Sequence, residues 1–486
     1  LDKGQSCFFL IPEINLTPQF IEVFQRHLKG KILTYHSSMS NSEKLGVWET
    51  IQHLDEPFIL IGVRSSVFLP FKKLGLIVVD EEHDTSFKQE DRCPYHARDV
   101  ATKMASLMKC PIVLGSATPT VETITSFKGT SEHLVLKNRP KNLSMPTVEI
   151  CDSRNKSTTE DQEAWPFNVK TLDRIKEKLV AKEQVLVFVN RLGFASFVQC
   201  RSCGHEFHCA NCSSNLKYFK SKRVLKCQFC EYSLPYPDSC PECGNMKLVQ
   251  KGFGTEKLIE VLTKYFPENK CERFDRDAVK TFDDLKNILT KFNNREIDIL
   301  VGTQMLSKGH DFAGVNLVVL LGVDGQLNFP DFRSNEKVFQ LITQTAGRPG
   351  RSEKRGEVII ETLSPNNKIF DYITNYDQEG FYQEELIIRE NLDLPPYSRM
   401  CAIYFSSARY DVVVQEATRA AELIKNFQSK HFNKVELLGP RPALIEKRAN
   451  KFSWTLLVKS EDVGQLHNLV DNFQKYFKPP HNLALK

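Results

Sequence analysis

The stretch Leu76-Ile77-Val78-Val79-Asp80-Glu81-Glu82-His83 decides how the chain reads. An apolar, β-branched run without polar alternation predicts a strand buried on both faces, as in a parallel sheet covered by helices. It ends abruptly in three carboxylates. Adjacent anions repel one another, and a cation is the obvious reason to gather them at a strand tip. In nucleotide-hydrolysing α/β folds a carboxylate in that place holds Mg²⁺ through its water shell, and its neighbour can polarise the attacking water. A strand ending in a solvated acidic turn fits these eight residues equally well, so the surrounding pattern has to decide.

That pattern is an alternation of strands and helices. Cys7–Ile11, Lys31–Tyr35, Phe58–Gly62 and Pro111–Leu114 read as strands, and Leu16–Leu28, Ser42–Gln52 and Ala97–Leu107 as helices. Such alternation predicts a parallel sheet covered on both faces. The tip Gly115-Ser116-Ala117-Thr118-Pro119-Thr120 places small hydroxyl residues before a helix, which suits a linker coupling a nucleotide site to its surroundings. A Ser/Thr-capped helix start is the plainer alternative. Residues 131–165 lose the periodicity and read as a linker. A second alternating series follows, with strands at Gln184–Asn190, Ile297–Gly302, Asn316–Val323 and Glu357–Glu361. The tail from Met400 reads as a small α+β domain with basic residues at Arg441, Lys447, Arg448 and Lys451. The chain thus divides into a first lobe over 1–130, the linker, a second lobe at 166–199 and 248–375 around an insert at 200–247, and a C-terminal domain over 376–486.

The 486 residues are 41% hydrophobic and 26% charged, with a net charge of +5. That mild basicity permits a polyanionic partner without demanding one. No apolar run approaches the roughly 18 residues of a membrane span. The chain opens on Leu1 in mid-element without a signal peptide, the expectation for a piece of something longer.

Eight of the 14 cysteines form four CxxC pairs: Cys200/Cys203, Cys209/Cys212, Cys227/Cys230 and Cys240/Cys243. Clustered pairs without a secretory signal point to metal in a reducing compartment. Each CxxC turn aims two thiolates at one tetrahedral ion, so eight cysteines predict two closed, structural Zn²⁺ sites. Only five residues separate Cys203 from Cys209, too few for a ribbon loop. The spacing therefore predicts nested pairing, with Cys209, Cys212, Cys227 and Cys230 on one zinc and Cys200, Cys203, Cys240 and Cys243 on the other. His205 and His208 are not needed as ligands. The basic, aromatic-containing insert suits nucleic-acid contact or protein docking, and a solvated surface is the bland alternative.

In the second series Gly302-Thr303-Gln304-Met305-Leu306-Ser307-Lys308-Gly309 follows a strand directly, offering backbone N–H groups and Lys308 to phosphate. Gln344-Thr345-Ala346-Gly347-Arg348-Pro349-Gly350-Arg351 ends a helix with two arginines three apart. Guanidinium groups suit the charge of a γ-phosphate in transfer, although arginines there are commonly dipole complements. Together with the acidic tip of the other sheet they suggest ATP held between two lobes.

This ordered set resembles the primosomal protein N′ family, the PriA-type replication-restart DNA helicases of bacteria in helicase superfamily 2. The matching residues include Leu10–Pro18, Gly62–Phe71, Asp80–His83, Tyr95–Asp99, Gly115–Thr120, Asn190–Gly193, the eight cysteines, Gly252–Glu256, Arg273–Asp277, Gly302–Phe312 and Gln344–Arg351. The resemblance implies an α/β fold of two RecA-like doubly wound lobes, a two-zinc insert in the second lobe and a compact C-terminal domain. It also implies ATP-dependent 3′→5′ unwinding, recognition of stalled or abandoned forks, and primosome assembly. By similarity, Asp80 assists Mg²⁺ and Glu81 orients the hydrolytic water. His83 and Gln344 couple nucleotide to DNA, and Arg348 and Arg351 contact the γ-phosphate. Gly302, Thr303, Lys308 and Gly309 belong to the nucleotide-facing set, and the loop from Asp84 to Arg98 matches the family's aromatic-rich coupling loop. The implied partners are branched and single-stranded DNA, single-stranded-DNA-binding protein, other primosome proteins and the replicative helicase with its loader, in the bacterial cytoplasm at the nucleoid and with no membrane.

The sequence departs from the family in one large respect. Family members carry a Gly-rich phosphate loop and an N-terminal DNA-binding region ahead of the Leu10–Pro18 stretch, and GxxxxGK[ST] occurs nowhere in these 486 residues. The expectation is that this polypeptide does not hydrolyse ATP appreciably. Pro349 stands where the family has Ala, and Leu192 where it more often has a basic residue. One rival reading is a non-catalytic DNA-binding or scaffold protein that has lost the nucleotide site. A second is a double-stranded-DNA translocase, which the zinc insert argues against.

Overall fold

The computed structural model describes the chain except at residues 2, 13–17, 29, 91–92, 128, 130–131, 137–143, 155–162, 191–196, 201, 204, 213–215, 220–222, 228–231, 247, 252, 276, 304–311, 313, 350–354, 431 and 433. The first lobe is a five-stranded parallel sheet in the order Lys31–Tyr35, Phe58–Gly62, Ser6–Leu10, Leu74–Val79, Ile112–Leu114. Ala97, Ala101 and Ala105 recur every fourth residue along the helix Ala97–Met108, and these small side chains pack into one cluster with Ile77 and Val79. On the other face Ile11, Ile59 and Ile61 cluster with Phe9 and Phe24, but neither Leu76 nor Val78 joins them. Along the acidic strand Leu74, Ile77 and Val79 are buried, and Leu76 and Val78 partly buried among the described residues.

The second sheet has six parallel strands in the order Cys271–Phe274, Ile299–Gly302, Gln184–Val189, Val315–Leu321, Glu357–Thr362, Thr147–Asp152. Every residue of the central strands Gln184–Val189 and Val315–Leu321 is buried. Helices Val169–Val180 and Thr255–Tyr265 cover one face, and Phe282–Asn293, Ser334–Ala346 and Gln378–Asn391 build the core on the other. Two boundaries differ from the sequence reading. Thr147–Asp152, inside the expected linker, is the edge strand of this sheet. Only Val148 and Ile150 turn into the main core cluster, and Ser and Pro flank them, so the segment mimics a linker. Gln378–Asn391, expected to open the C-terminal domain, instead packs Phe381 and Tyr382 against Phe339 in the second lobe, with the Phe339 and Phe381 rings stacked at 4.1 Å.

The cysteine-rich insert is a five-stranded antiparallel sheet, and its first strand Phe197–Cys200 pairs with its last, Leu248–Lys251. The C-terminal domain orders its antiparallel strands Val435–Arg448, Lys451–Ser460, Arg399–Ser407, Ala484–Leu485 and packs helices Tyr410–Lys430 and Val463–Tyr476 on them. The strand beginning at Val435 contains Gly439, Pro440 and Pro442. Register shifts at Leu438/Arg441 and Pro442/Lys447 absorb them, and the strand runs on to Arg448.

The lobes meet through buried charge. Val121 of the helix Val121–Phe127 lies within the second lobe's core, and its N–H donates to Glu336 Oε1 at 3.0 Å. Glu336 also accepts from Arg389 at 2.7 Å, and Arg389 donates to Glu385 at 3.0 Å and to Pro395 O at 3.2 Å. Arg389 is 0% exposed and Glu336 2%. Burial pushes the Glu336 carboxyl upward, while the charge and hydrogen bond of Arg389 oppose that shift. Removing one partner of such a pair strands the other without its counter-charge. Arg389→Met is therefore expected to destabilise the fold by about 3–5 kcal/mol in chemical denaturation, with Arg389→Lys losing less. A change below about 1 kcal/mol would place the stability of the seam elsewhere.

Candidate nucleotide site and metal centres

The acidic turn is held from three sides. Asp80 N–H donates to Leu10 O at 2.9 Å, Gly115 N–H to Val79 O at 2.8 Å, and Glu82 N–H to Gly115 O at 3.0 Å. Glu81 takes a left-handed backbone, φ 48°, rare for a residue with a side chain and costing about 1–2 kcal/mol. That reversal sends the three carboxylates different ways. Asp80 stays at the tip, half-buried, and its Oδ1 accepts from the Glu81 N–H at 3.0 Å. Burial raises the Asp80 carboxyl above its ordinary range, against the lowering by that N–H. A desolvated carboxylate gains most from a cation, so Asp80 fits the ligand of a hydrated Mg²⁺.

Glu82 does not share that task, contrary to the reading of three carboxylates around one cation. It is 0% exposed and accepts from Arg98 Nη1 at 2.7 Å, Thr120 N–H at 2.6 Å and Thr123 Oγ1 at 3.0 Å. Its cation is Arg98, from the Tyr95–Asp99 motif. The Gly115–Thr120 segment is thus clamped to the acidic turn.

His83 links the lobes. Its Nδ1 lies 2.7 Å from Ser116 Oγ, and its Nε2 meets the side-chain amide nitrogen of Gln344. The imidazole thus stands between the Ser116 hydroxyl and the Gln344 amide, one ring nitrogen to each. Gln344 also donates to Thr118 Oγ1 at 3.2 Å, and Gln340 to Thr118 O at 3.2 Å. The structure therefore brings His83, the Ser116–Thr118 segment and Gln344 into one contact. Arg348 follows Gln344 by one turn, its N–H bonded to Thr345 O at 3.1 Å. Gly302 ends its strand at the tip of the second sheet and Thr303 follows. Lys308, Gly309 and Arg351 lie outside the described residues.

One further motif pair meets within the second lobe. Thr255 Oγ1 donates to buried Asp275, and Arg273 Nη1 donates to Glu256 at 3.0 Å, joining Gly252–Glu256 to Arg273–Asp277. In the first lobe Arg64 donates to Ser86 O at 3.2 Å and Lys88 O at 2.9 Å, pinning the loop after Asp84, and Phe68 packs edge-on to Tyr95. Gly62 precedes it because a Cβ there would stand 2.2 Å from Ser66 Oγ.

The sequence reading missed Glu122, Glu336, Glu385 and Arg389. One signal was available: Phe381, Tyr382, Glu385 and Arg389 share a single helical face, so charge recurs in phase with the apolar stripe.

In the insert, Cys200, Cys203, Cys240 and Cys243 converge, as do Cys209, Cys212 and Cys227, while Cys230 lies outside the described residues. The sulfur pairs Cys200/Cys243 and Cys203/Cys240 are each 3.6 Å apart. A disulfide is near 2.05 Å, whereas four sulfurs about 2.3 Å from a tetrahedral zinc stand roughly 3.8 Å from one another. The thiolate sets fit zinc in the nested order that the spacing predicts.

Comparison with known proteins agrees with this architecture. Residues 1–127 match the DEAD/DEAH box helicase family, 254–353 the helicase conserved C-terminal domain and 390–482 the primosomal protein N C-terminal domain. The chain is 36% identical over 479 residues to the replication restart protein PriA of Bacillus subtilis, covering 98% of this chain and 59% of that protein. It is 38% identical over 470 residues to its counterpart from Synechocystis, covering 94% and 56%. It is 35% identical over 480 residues to that of Rickettsia felis, covering 98% and 72%. The chain thus spans somewhat more than half the length of the first two relatives. With two helicase lobes, a cysteine-rich insert and a primosomal C-terminal domain in one order, the chain belongs to the PriA family of replication restart proteins.

Proposed function

We propose that this chain is the motor and zinc-bearing core of an ATP-dependent 3′→5′ DNA helicase that acts at stalled or abandoned replication forks and initiates replication restart through primosome assembly. The observation that carries the reading is the His83–Gln344 contact, because it joins the acidic turn of one lobe to the helix of the other that leads into Arg348. ATP with Mg²⁺ supplies a phosphoryl group for transfer to water. Asp80 would hold the ion and Glu81 would orient the water. By family resemblance, the role of Arg348 and Arg351, with Gly302, Thr303, Lys308 and Gly309, would be to bind the phosphates. When nucleotide moves the acidic turn, His83 and Thr118 transmit the shift to Gln344 and so to the DNA-facing surfaces. The two zinc centres are structural, since closed thiolate shells leave no open position for chemistry. DNA forks, single-stranded DNA, single-stranded-DNA-binding protein, the other primosome proteins and the replicative helicase with its loader are the partners of this reading. A DNA-binding scaffold without catalysis is the alternative reading.

Three outcomes test the reading. Because the phosphate cradle is missing from this sequence, the chain as it stands should show no appreciable phosphate release with forked DNA, and brisk turnover would overturn that. In a polypeptide extended to include a GxxxxGK[ST] segment, Gln344→Ala should lower DNA-stimulated hydrolysis about tenfold while leaving nucleotide affinity unchanged, the loss of about one hydrogen bond in coupling. Equal stimulation in both proteins would sink the coupling role. Elemental analysis should find about two zinc ions per chain. Cys200→Ser with Cys243→Ser should remove one, and Cys200→Ser with Cys227→Ser both. The opposite pattern would refute nested pairing.

A further inference from the structure

The C-terminal domain touches the insert at its zinc ligands. In the turn joining the strands Val435–Arg448 and Lys451–Ser460, Ala449 and Asn450 both take left-handed backbones, φ 49° and 61°. This is the geometry of a two-residue hairpin, usually filled by Asn-Gly or Asp-Gly. From that turn the Ala449 N–H donates to Cys212 Sγ at 3.1 Å, and the Asn450 N–H donates to Asn211 O at 2.8 Å. Lys447 Nζ donates to Ala210 O at 3.1 Å. All three acceptors lie in the Cys209–Cys212 turn, whose two thiols are buried. Within that turn the Asn211 N–H donates to Cys209 Sγ at 3.4 Å. One thiolate is therefore bonded from inside its own turn and the other from a domain more than two hundred residues later in the chain.

The charges are complementary. A zinc ion held by four thiolates carries a net charge of about −2, and the turn that meets it is Lys447-Arg448-Ala449-Asn450-Lys451. Groups that hydrogen-bond metal ligands from outside orient them and tune the site, and their loss lowers metal affinity.

We propose that the Arg448–Lys451 turn is an outer part of the zinc centre built on Cys209, Cys212 and Cys227. Bound zinc then fixes the C-terminal domain against the insert, and the turn in return slows zinc loss. The two effects are one coupling seen from two sides. The inference rests on the reading of this thiolate cluster as a zinc site and goes beyond it, because it assigns the basic hairpin an anchoring role inside the molecule.

The test uses the full chain loaded with zinc. Ala449→Asn and Ala449→Asp both suit a left-handed turn and keep the N–H, but Asp adds an anion beside the thiolates. With a chromogenic chelator, Ala449→Asp should release one of the two zinc ions about 10–100-fold faster than the parent, with the other ion unchanged and Ala449→Asn close to the parent. Release of both ions at parental rates from Ala449→Asp would overturn the proposal. Amide hydrogen exchange gives a second measurement that needs no variant. Stripping zinc from the parent chain should raise exchange over 447–451 while 410–430 stays protected. Unchanged exchange at the turn would also overturn the proposal. If Cys209→Ser with Cys212→Ser leaves the zinc content of the chain unchanged, the zinc reading of this cluster fails and the proposal falls with it.

Discussion

Glu336 and Arg389 sit inside the protein with their charged groups 2.7 Å apart, and that pair sets what the lobes can do. An ion pair taken out of water is tolerated only where geometry and extra hydrogen bonds satisfy both members. Here the Val121 N–H, Gln340, Glu385 and Pro395 O complete the set. The guanidinium also lies over the Phe332 ring, which Arg333 faces too while donating to Glu122 at 2.8 Å. First lobe, second lobe and the helix leading to the C-terminal domain are thereby joined by one desolvated group of charges. A change of lobe angle that separated them would expose uncompensated charge, so the seam favours discrete arrangements over continuous sliding.

Next to this seam stand the contacts of the acidic turn. Glu82 and Arg98 fix the acidic turn from behind, and His83 and Gln344 contact each other in front of it. Glu82 and His83 are neighbours in sequence, yet one contacts Arg98 within its own lobe and the other Gln344 of the second lobe, just after the left-handed residue Glu81. The strain at one backbone position separates a structural carboxylate from the carboxylates at the turn.

The regular elements were legible because their periodicities are strong. Lys31–Tyr35 and Phe58–Gly62 fall where the pattern puts them. The nested cysteine pairing followed from loop lengths alone. Half-exposed edges were not legible: Thr147–Asp152 has only two inward apolar residues beyond its cysteine, and the strand after Val435 is interrupted by proline and glycine. The three acids were assigned to one cation because a sequence shows that charges are neighbours but not that Arg98 faces the third. Buried ionic groups such as Arg389 escape a polar-outside reading, since their partners come from other helices.

The insert begins and ends on paired strands, Phe197–Cys200 beside Leu248–Lys251, with Cys200 opposite Leu248. A module whose two ends are neighbours leaves the host sheet undisturbed whatever its length, so it can be gained, enlarged or exchanged during descent without refolding the lobe that carries it. Its fingers and the motor beneath can therefore diverge at different speeds.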